Sequence, residues 1–195
     1  MPECSWPGDD EQYRQYHDNC WGMPVVDNQE LFAKLCLDGQ QAGLSWIIIL
    51  RKQSEYYRLF EQFNPEKIAL FNDDKIEQLL KEPGIVRNRL KIRAIVQNAR
   101  AYLDLSQQGI NFSDYLWSFV NNFPIDHQLV DGNDTPTTSP EAIAMAKSLK
   151  KHGFKFVGET ICYAFMQAVG MFNDHLISCS AHARCQKRAY ELFQE

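Results

Sequence analysis

No stretch of this chain is apolar enough to cross a bilayer. The longest nearly apolar run, Ala42 to Leu50, falls far short of the roughly 20 residues that a spanning helix needs. The start, MPECSWPGDD, has neither a basic segment nor an apolar one behind it, so a secretory signal is not expected and a cytoplasmic location is. Repeats, low-complexity tracts and linkers are also missing, which leaves one domain over residues 1–195 as the expectation. Hairpin signals are scarce, so a sheet-based core is not expected. Positive charge is scarce too. The formal net charge of −5 argues mildly against a polyanionic partner.

What is present points to helices around one core. With 45% hydrophobic and 12% aromatic residues, 195 residues can bury a core of useful size. Asp27 with Glu30 makes a capping-box-like start for a helix carrying Leu31, Phe32, Leu35 and Cys36, and Gly39 is expected to end it. A second helix follows Ser45, with Trp46, Ile49, Leu50, Tyr57 and Phe60 at helical spacing. Asn64-Pro65 and Asn72 cap two short helices, the second ending near Leu80 before Pro83-Gly84 forces a break. Leu90 to Leu105 reads as a long helix closed near Gly109. Further starts lie at Ser113 and at Ser139-Pro140, and Glu159 to Val169 closes at Gly170. Pro124 to Ser139 reads as a long loop.

Charge is segregated along this pattern. Arg87, Arg89, Lys91, Arg93 and Arg100 follow the Pro-Gly break with no acidic residue among them, and Lys147, Lys150, Lys151 and Lys155 form a second block. Each block is either a solvated helix face or a phosphate-binding surface. A helix, a Pro-Gly turn and a basic helix together resemble a helix-hairpin-helix element, in which backbone N–H groups at the turn hold a phosphate.

Six cysteines in a cytoplasmic chain are better read as thiols or metal ligands than as disulfides. Zinc takes four ligands from thiolate and neutral imidazole, commonly in close pairs. His175 and Cys179, spaced i, i+4, form such a pair, and Cys4 with His17 could complete the set from the other end of the chain. His175, Cys179, His182 and Cys185 form a local set that is chemically just as acceptable, and spacing does not choose between the two.

Four segments taken together narrow the reading. They are YHDNCWG at Tyr16 to Gly22, LDGQQAGLSW at Leu37 to Trp46, PGIVRNRLKI at Pro83 to Ile92, and KHGFKFVGETICYAFMQAVGMFNDH at Lys151 to His175. In this order and separation the chain resembles the 3-methyladenine DNA glycosylase I family from Cys4 to about Cys179, with residues 180–195 left as a tail. The resemblance implies an all-α helix-hairpin-helix DNA glycosylase fold in which a structural zinc joins the N- and C-terminal segments. It assigns the ligands to Cys4, His17, His175 and Cys179 and leaves His182 and Cys185 outside.

The partner implied is double-stranded DNA containing alkylated adenine, with no membrane and no obligate protein partner. The activity implied is monofunctional: hydrolysis of the N-glycosidic bond in base excision repair. A flipped base would stack on Tyr16 and Trp46, with Tyr13, Trp6 and Trp21 along the wall and the Asp38 carboxylate facing it. Gln41, Gly43 and Leu44 would probe the duplex, Leu44 as the wedge, while Gly84, Arg87, Arg89 and Lys91 would hold its backbone.

Two positions depart from the family pattern as the resemblance frames it. Asp38 stands where glutamate is usual, drawing the carboxylate back by about 1.5 Å, and Cys20 stands where an acidic residue is usual. The hairpin also lacks the lysine and the following aspartate that assist cleavage and lyase chemistry in related glycosylases, so no lyase step is expected. Two competing classes are a non-catalytic zinc-containing DNA-binding module and a catalytic zinc hydrolase. Four protein ligands would leave the second no open coordination position.

Overall fold

Short polar side chains begin most of the helices. Asp10, Asp27, Asn64, Asn72, Asn88, Asn111 and Ser139 each accept a hydrogen bond from the backbone N–H three residues on, the usual satisfaction of an orphan N-terminal donor. The structure is a computed structural model in which residues 4–193 are described. Met1, Pro2 and Glu3 of the N-terminal reading, and Gln194 and Glu195 of the expected tail, lie outside the described residues.

The caps open α1 (Glu11–Asn19), α2 (Asn28–Gln41), α4 (Pro65–Ala69), α5 (Asp73–Leu79), α6 (Arg89–Gln107), α7 (Phe112–Trp117) and α8 (Pro140–Lys151). Between them come α3 (Trp46–Leu59) and, after α8, α9 (Glu159–Ala168) and α10 (Ser180–Phe193). No helix among the described residues is long and apolar enough to cross a membrane.

The core forms around α2, which packs on α3, α6, α7 and α9. Every residue from Leu31 to Gln40 except Lys34 is buried, so α2 is enclosed on nearly all sides. Asp38 is therefore carried into the interior by a helix that the apolar residues around it hold in place.

Gly39 does not end α2 as expected. It lies inside the helix, where an added Cβ would sit 3.2 Å from that of Phe156, so its smallness serves packing. Helix α6 begins at Arg89, one residue before the expected Leu90 and five beyond Gly84, so the Pro-Gly turn does not itself open the helix. Asn111, not Ser113, caps α7, its side chain accepting from the Asp114 N–H at 3.1 Å; Ser113 lies inside the helix, where its free first-turn N–H donates to the Asn28 side chain at 2.7 Å.

Three features were not expected from the sequence: α1, α10, and a short parallel pair of strands. β1 (Ile125–Asp126) lies inside the supposed loop and pairs with β2 (Phe172–Asn173) in the register Ile125 with Phe172 and Asp126 with Asn173. Gly170, with φ +74°, allows the chain after α9 to cross the 22–24 segment closely. An added Cβ there would lie 2.4 Å from the Pro24 nitrogen, so the terminal halves meet backbone to backbone.

Candidate active site and metal centre

Helix α1 places Tyr13, Tyr16 and His17 on neighbouring turns, so that one short element serves two sites. His17 meets Cys4, His175 and Cys179, all ligand atoms lying within 4.8 Å of one another. His175 Nδ1 is 3.1 Å from His17 Nε2, 3.9 Å from Cys4 Sγ and 3.8 Å from Cys179 Sγ, and the last is 3.8 Å from His17 Nε2. Bonds of about 2.0–2.3 Å in a tetrahedron require separations of roughly 3.3–3.8 Å.

The donor chemistry agrees with those distances. His175 Nε2 donates to the Trp21 carbonyl at 2.9 Å, and His17 Nδ1 lies 2.7 Å from the Asp18 carboxylate. Each ring therefore carries its proton outward and turns a lone pair inward. Two lone pairs facing each other repel; a cation between them makes the arrangement favourable, and the outward bonds orient the rings for it. Burial pushes the Cys4 thiol up to about 11 and the His175 imidazolium down to about 4. A bound cation reverses the first effect by favouring thiolate.

The local rival set does not assemble. His182 is 3.0 Å from Asp126, and the Cys185 thiol lies 3.9 Å from the Met23 sulfur. The Cys20 thiol is exposed and outside the cluster.

Beside the metal centre lies a cavity of about 440 Å³. Trp6, Tyr13, Tyr16, Trp21 and Trp46 line it, with Asp38 among them. Tyr16 and Trp46 are 5.5 Å apart between ring centroids, and Trp6 meets Tyr13 at 4.8 Å and Trp21 at 5.1 Å, edge to face. Trp21 links the two sites, since its carbonyl fixes the His175 ring while its indole lines the cavity.

Asp38 is 1% exposed. One carboxylate oxygen is 2.6 Å from Lys34 Nζ, and the other is buried without a partner, as is Trp46 Nε1. Burial pushes the Asp38 carboxyl up and the Lys34 ammonium down, each partly offset by the other's charge.

Lys34 was not singled out by sequence. Its ammonium lies 3.5 Å from the Trp46 ring centroid and 5.7 Å from that of Tyr16. The available signal was its place one turn before Asp38 on α2.

Two other parts of the wall were missed. Asp131, Gly132, Asn133 and Thr135 of the supposed loop line the cavity, as does Asp174. Asp174 accepts from Tyr163 OH and Gln167 Nε2, each at 2.7 Å, and lies 2.5 Å from His127 Nδ1. Its acceptor capacity is occupied by the fold, whereas that of Asp38 is half free.

The turn between α2 and α3 is open. Gly43 has φ +75° and no atom within 4 Å of where a Cβ would lie, and Leu44 beside it is 37% exposed. Gln41 lines the cavity just before the turn.

The expected set of backbone-holding residues needs correction. Lys91 is buried and donates to the carbonyls of Gln40 at 2.7 Å and Ala42 at 2.6 Å, so it fastens the end of α2 rather than facing a duplex. Gly84 packs against α3, where an added Cβ would lie 2.7 Å from Glu55 Cγ. Arg89 is exposed and paired with Glu77. Arg87 is exposed and has no carboxylate partner among the described residues, and the same holds for Lys147, Lys150, Lys151 and Lys155. A line of hydrogen bonds joins hairpin and turn: Val86 N–H to Tyr56 OH, Tyr56 OH to the Gln40 side chain, and Gln40 Nε2 to the Lys91 carbonyl.

Residues 6–182 match the model of a family described as methyladenine glycosylase. The chain is 48% identical over 182 residues to DNA-3-methyladenine glycosylase 1 of Escherichia coli strain K12, covering 93% of this chain and 97% of that one. It is 49% identical over 176 residues to DNA-3-methyladenine glycosylase of Haemophilus influenzae, covering 90% and 95%. Among solved structures, a variant of 3-methyladenine DNA glycosylase I in complex with 3-methyladenine superposes with a TM-score of 0.90 at 40% identity, covering 93% of this chain and 98% of that one.

Proposed function

The chain belongs to the methyladenine glycosylase family and has DNA-3-methyladenine glycosylase activity; from that premise we infer that the aromatic cavity around Asp38 receives a flipped 3-methyladenine and that hydrolysis leaves an abasic site. The observation that carries this reading is the buried Asp38 carboxylate, half unpartnered, among five aromatic residues. A purine brings the matching groups: a π-face for the rings and an exocyclic amine for the free carboxylate oxygen.

The chemistry suits such a site. With a methyl group on N3 and the sugar on N9, the purine is a cation and already a good leaving group. Water adds at C1′, the C1′–N9 electron pair returns to N9, the base departs neutral, and one proton passes to solvent. The work left to the protein is to extract the base and favour the charged ring over plain adenine. Aromatic faces and one carboxylate supply that preference.

The same reading makes zinc the metal of the Cys4, His17, His175 and Cys179 centre. With four protein ligands it would hold the termini and the Trp21 wall in place and leave no position for substrate. Residues 4–193 act as one domain, in a cytoplasmic setting where the thiols stay reduced. The substrate is duplex DNA carrying an alkylated adenine, held by Arg87, Arg89 and the exposed lysines. Chromatography of bases released from methylated DNA is expected to show free 3-methyladenine. DNA that is bound but yields no base would leave only a non-catalytic module.

Leu44 is assigned to the duplex, filling the space beside the flipped nucleotide with support from Gln41 and Gly43. Leu44→Ala should weaken binding to lesion or abasic duplex while thermal stability stays nearly unchanged, because the side chain is partly exposed in an open turn. A stability loss of about 2–5 kcal/mol, the range for a truncated core leucine, would instead make it a packing residue.

A further inference from the structure

Lys34 occupies the place that a positively charged base is expected to take. Its ammonium sits on the Trp46 face at 3.5 Å and bonds one oxygen of Asp38 at 2.6 Å, which are the stacking surface and the carboxylate assigned to the lesion. Both partners are taken out of water, the side chains being 14% and 2% exposed.

A second cavity lies on the other side of Lys34. It shares Tyr16, Lys34, Trp46 and Ala168 with the first, so the lysine stands in the partition between them. Glu30 lines this second cavity. On α2 it precedes Lys34 by four residues, as Lys34 precedes Asp38 by four, so one helix face carries a carboxylate on either side of the ammonium. Glu30 makes no ion pair among the described residues in this arrangement, which leaves it free to receive one. Partial desolvation and the nearby Asp27 carboxylate already hold the carboxyl of this surface residue above the usual range, so an arriving ammonium would relieve it.

We propose that Lys34 is a specificity-determining residue: an internal cation that fills the base pocket and competes with the cationic lesion for Asp38 and Trp46. Binding of the lesion moves the ammonium toward Glu30. A cation then enters only by exchanging with another cation, and the selectivity of the pocket for charged over neutral bases is set by that exchange. The inference rests on reading the aromatic cavity as the base pocket.

The test uses the full chain and methylated duplex, with base release by the unaltered protein measured first. No release would overturn the pocket reading and this inference together. Given release, Lys34→Met keeps an unbranched side chain without the charge, and KM for 3-methyladenine release should fall roughly tenfold. Affinity for an abasic duplex, which carries no base, should stay unchanged. Glu30→Gln removes the alternative partner and should raise KM with little change in kcat, and this effect should vanish when Lys34→Met is also present. An unchanged or raised KM in a folded Lys34→Met protein would overturn the proposal. So would a Glu30→Gln effect of equal size in both backgrounds, or a Glu30→Gln protein that releases base with unchanged KM, a result read with Lys34 in place and so independent of whether the lysine variant folds.

Discussion

Stripping the metal from the Cys4, His17, His175 and Cys179 centre is expected to lower the thermal midpoint by roughly 10–20 °C. Cys4 and His175 are 171 positions apart in sequence, so a shared ion closes nearly the whole chain into one loop. Removing such a constraint from the unfolded state costs about 5 kcal/mol by the loop-closure relation used for disulfides, and a chain of this size loses about 2–4 °C per kcal/mol. The two inward lone pairs, 3.1 Å apart, would also be left facing each other. Calorimetry before and after chelation, with metal content measured in both samples, makes the comparison. A midpoint that stays put after confirmed metal loss would show that packing alone joins the termini. The double variant His182→Ala, Cys185→Ala should retain full metal occupancy, since neither residue belongs to the cluster.

Replacing Asp38 by asparagine should slow base release by about 10- to 150-fold, the equivalent of roughly 1.5–3 kcal/mol for one charge-assisted hydrogen bond. On the proposed reading the change removes the acceptor for the base amine, and it deprives the Lys34 ammonium of the carboxylate it bonds at 2.6 Å. Asp38→Glu should hold or raise activity, because the longer side chain carries the carboxylate further into the cavity. Titration with free 3-methyladenine separates binding from chemistry, and weaker binding by the asparagine variant is expected. If asparagine binds as tightly as aspartate and glutamate changes nothing, the carboxylate does not face the base.

The helices that carry the site were legible because their signals are local. Asp27, Asn64, Asn72 and Ser139 cap the helices expected of them, since a capping side chain needs only the N–H three residues away. The geometry of the metal cluster was half legible: the spacing of His175 and Cys179 is a local signal, but the choice of Cys4 and His17 over His182 and Cys185 is made by long-range packing. Periodicity has no access to that choice. The same limit hid β1 and β2, each two residues long, and the fate of Lys91. A basic residue in a basic helix reads as surface. Only the neighbouring carbonyls of Gln40 and Ala42 show that its charge is spent inside.

The hydrogen-bonded line from Val86 through Tyr56 and Gln40 to Lys91, with the Lys91 ammonium closed onto the end of α2, bears on how the protein searches DNA. It ties the hairpin to the end of α2 and the start of the turn, so that, with Leu44 as the proposed wedge and Arg87 as a proposed phosphate contact, the step between the two is set by the fold. The freedom of Gln40 and Ala42 is then lost during folding rather than on contact, so on the proposed reading an encounter with DNA requires no reordering of this part of the turn. On that same reading each base step is tested by whether the duplex deforms to fit the fixed spacing, and weakly stacked or distorted steps are the ones that yield.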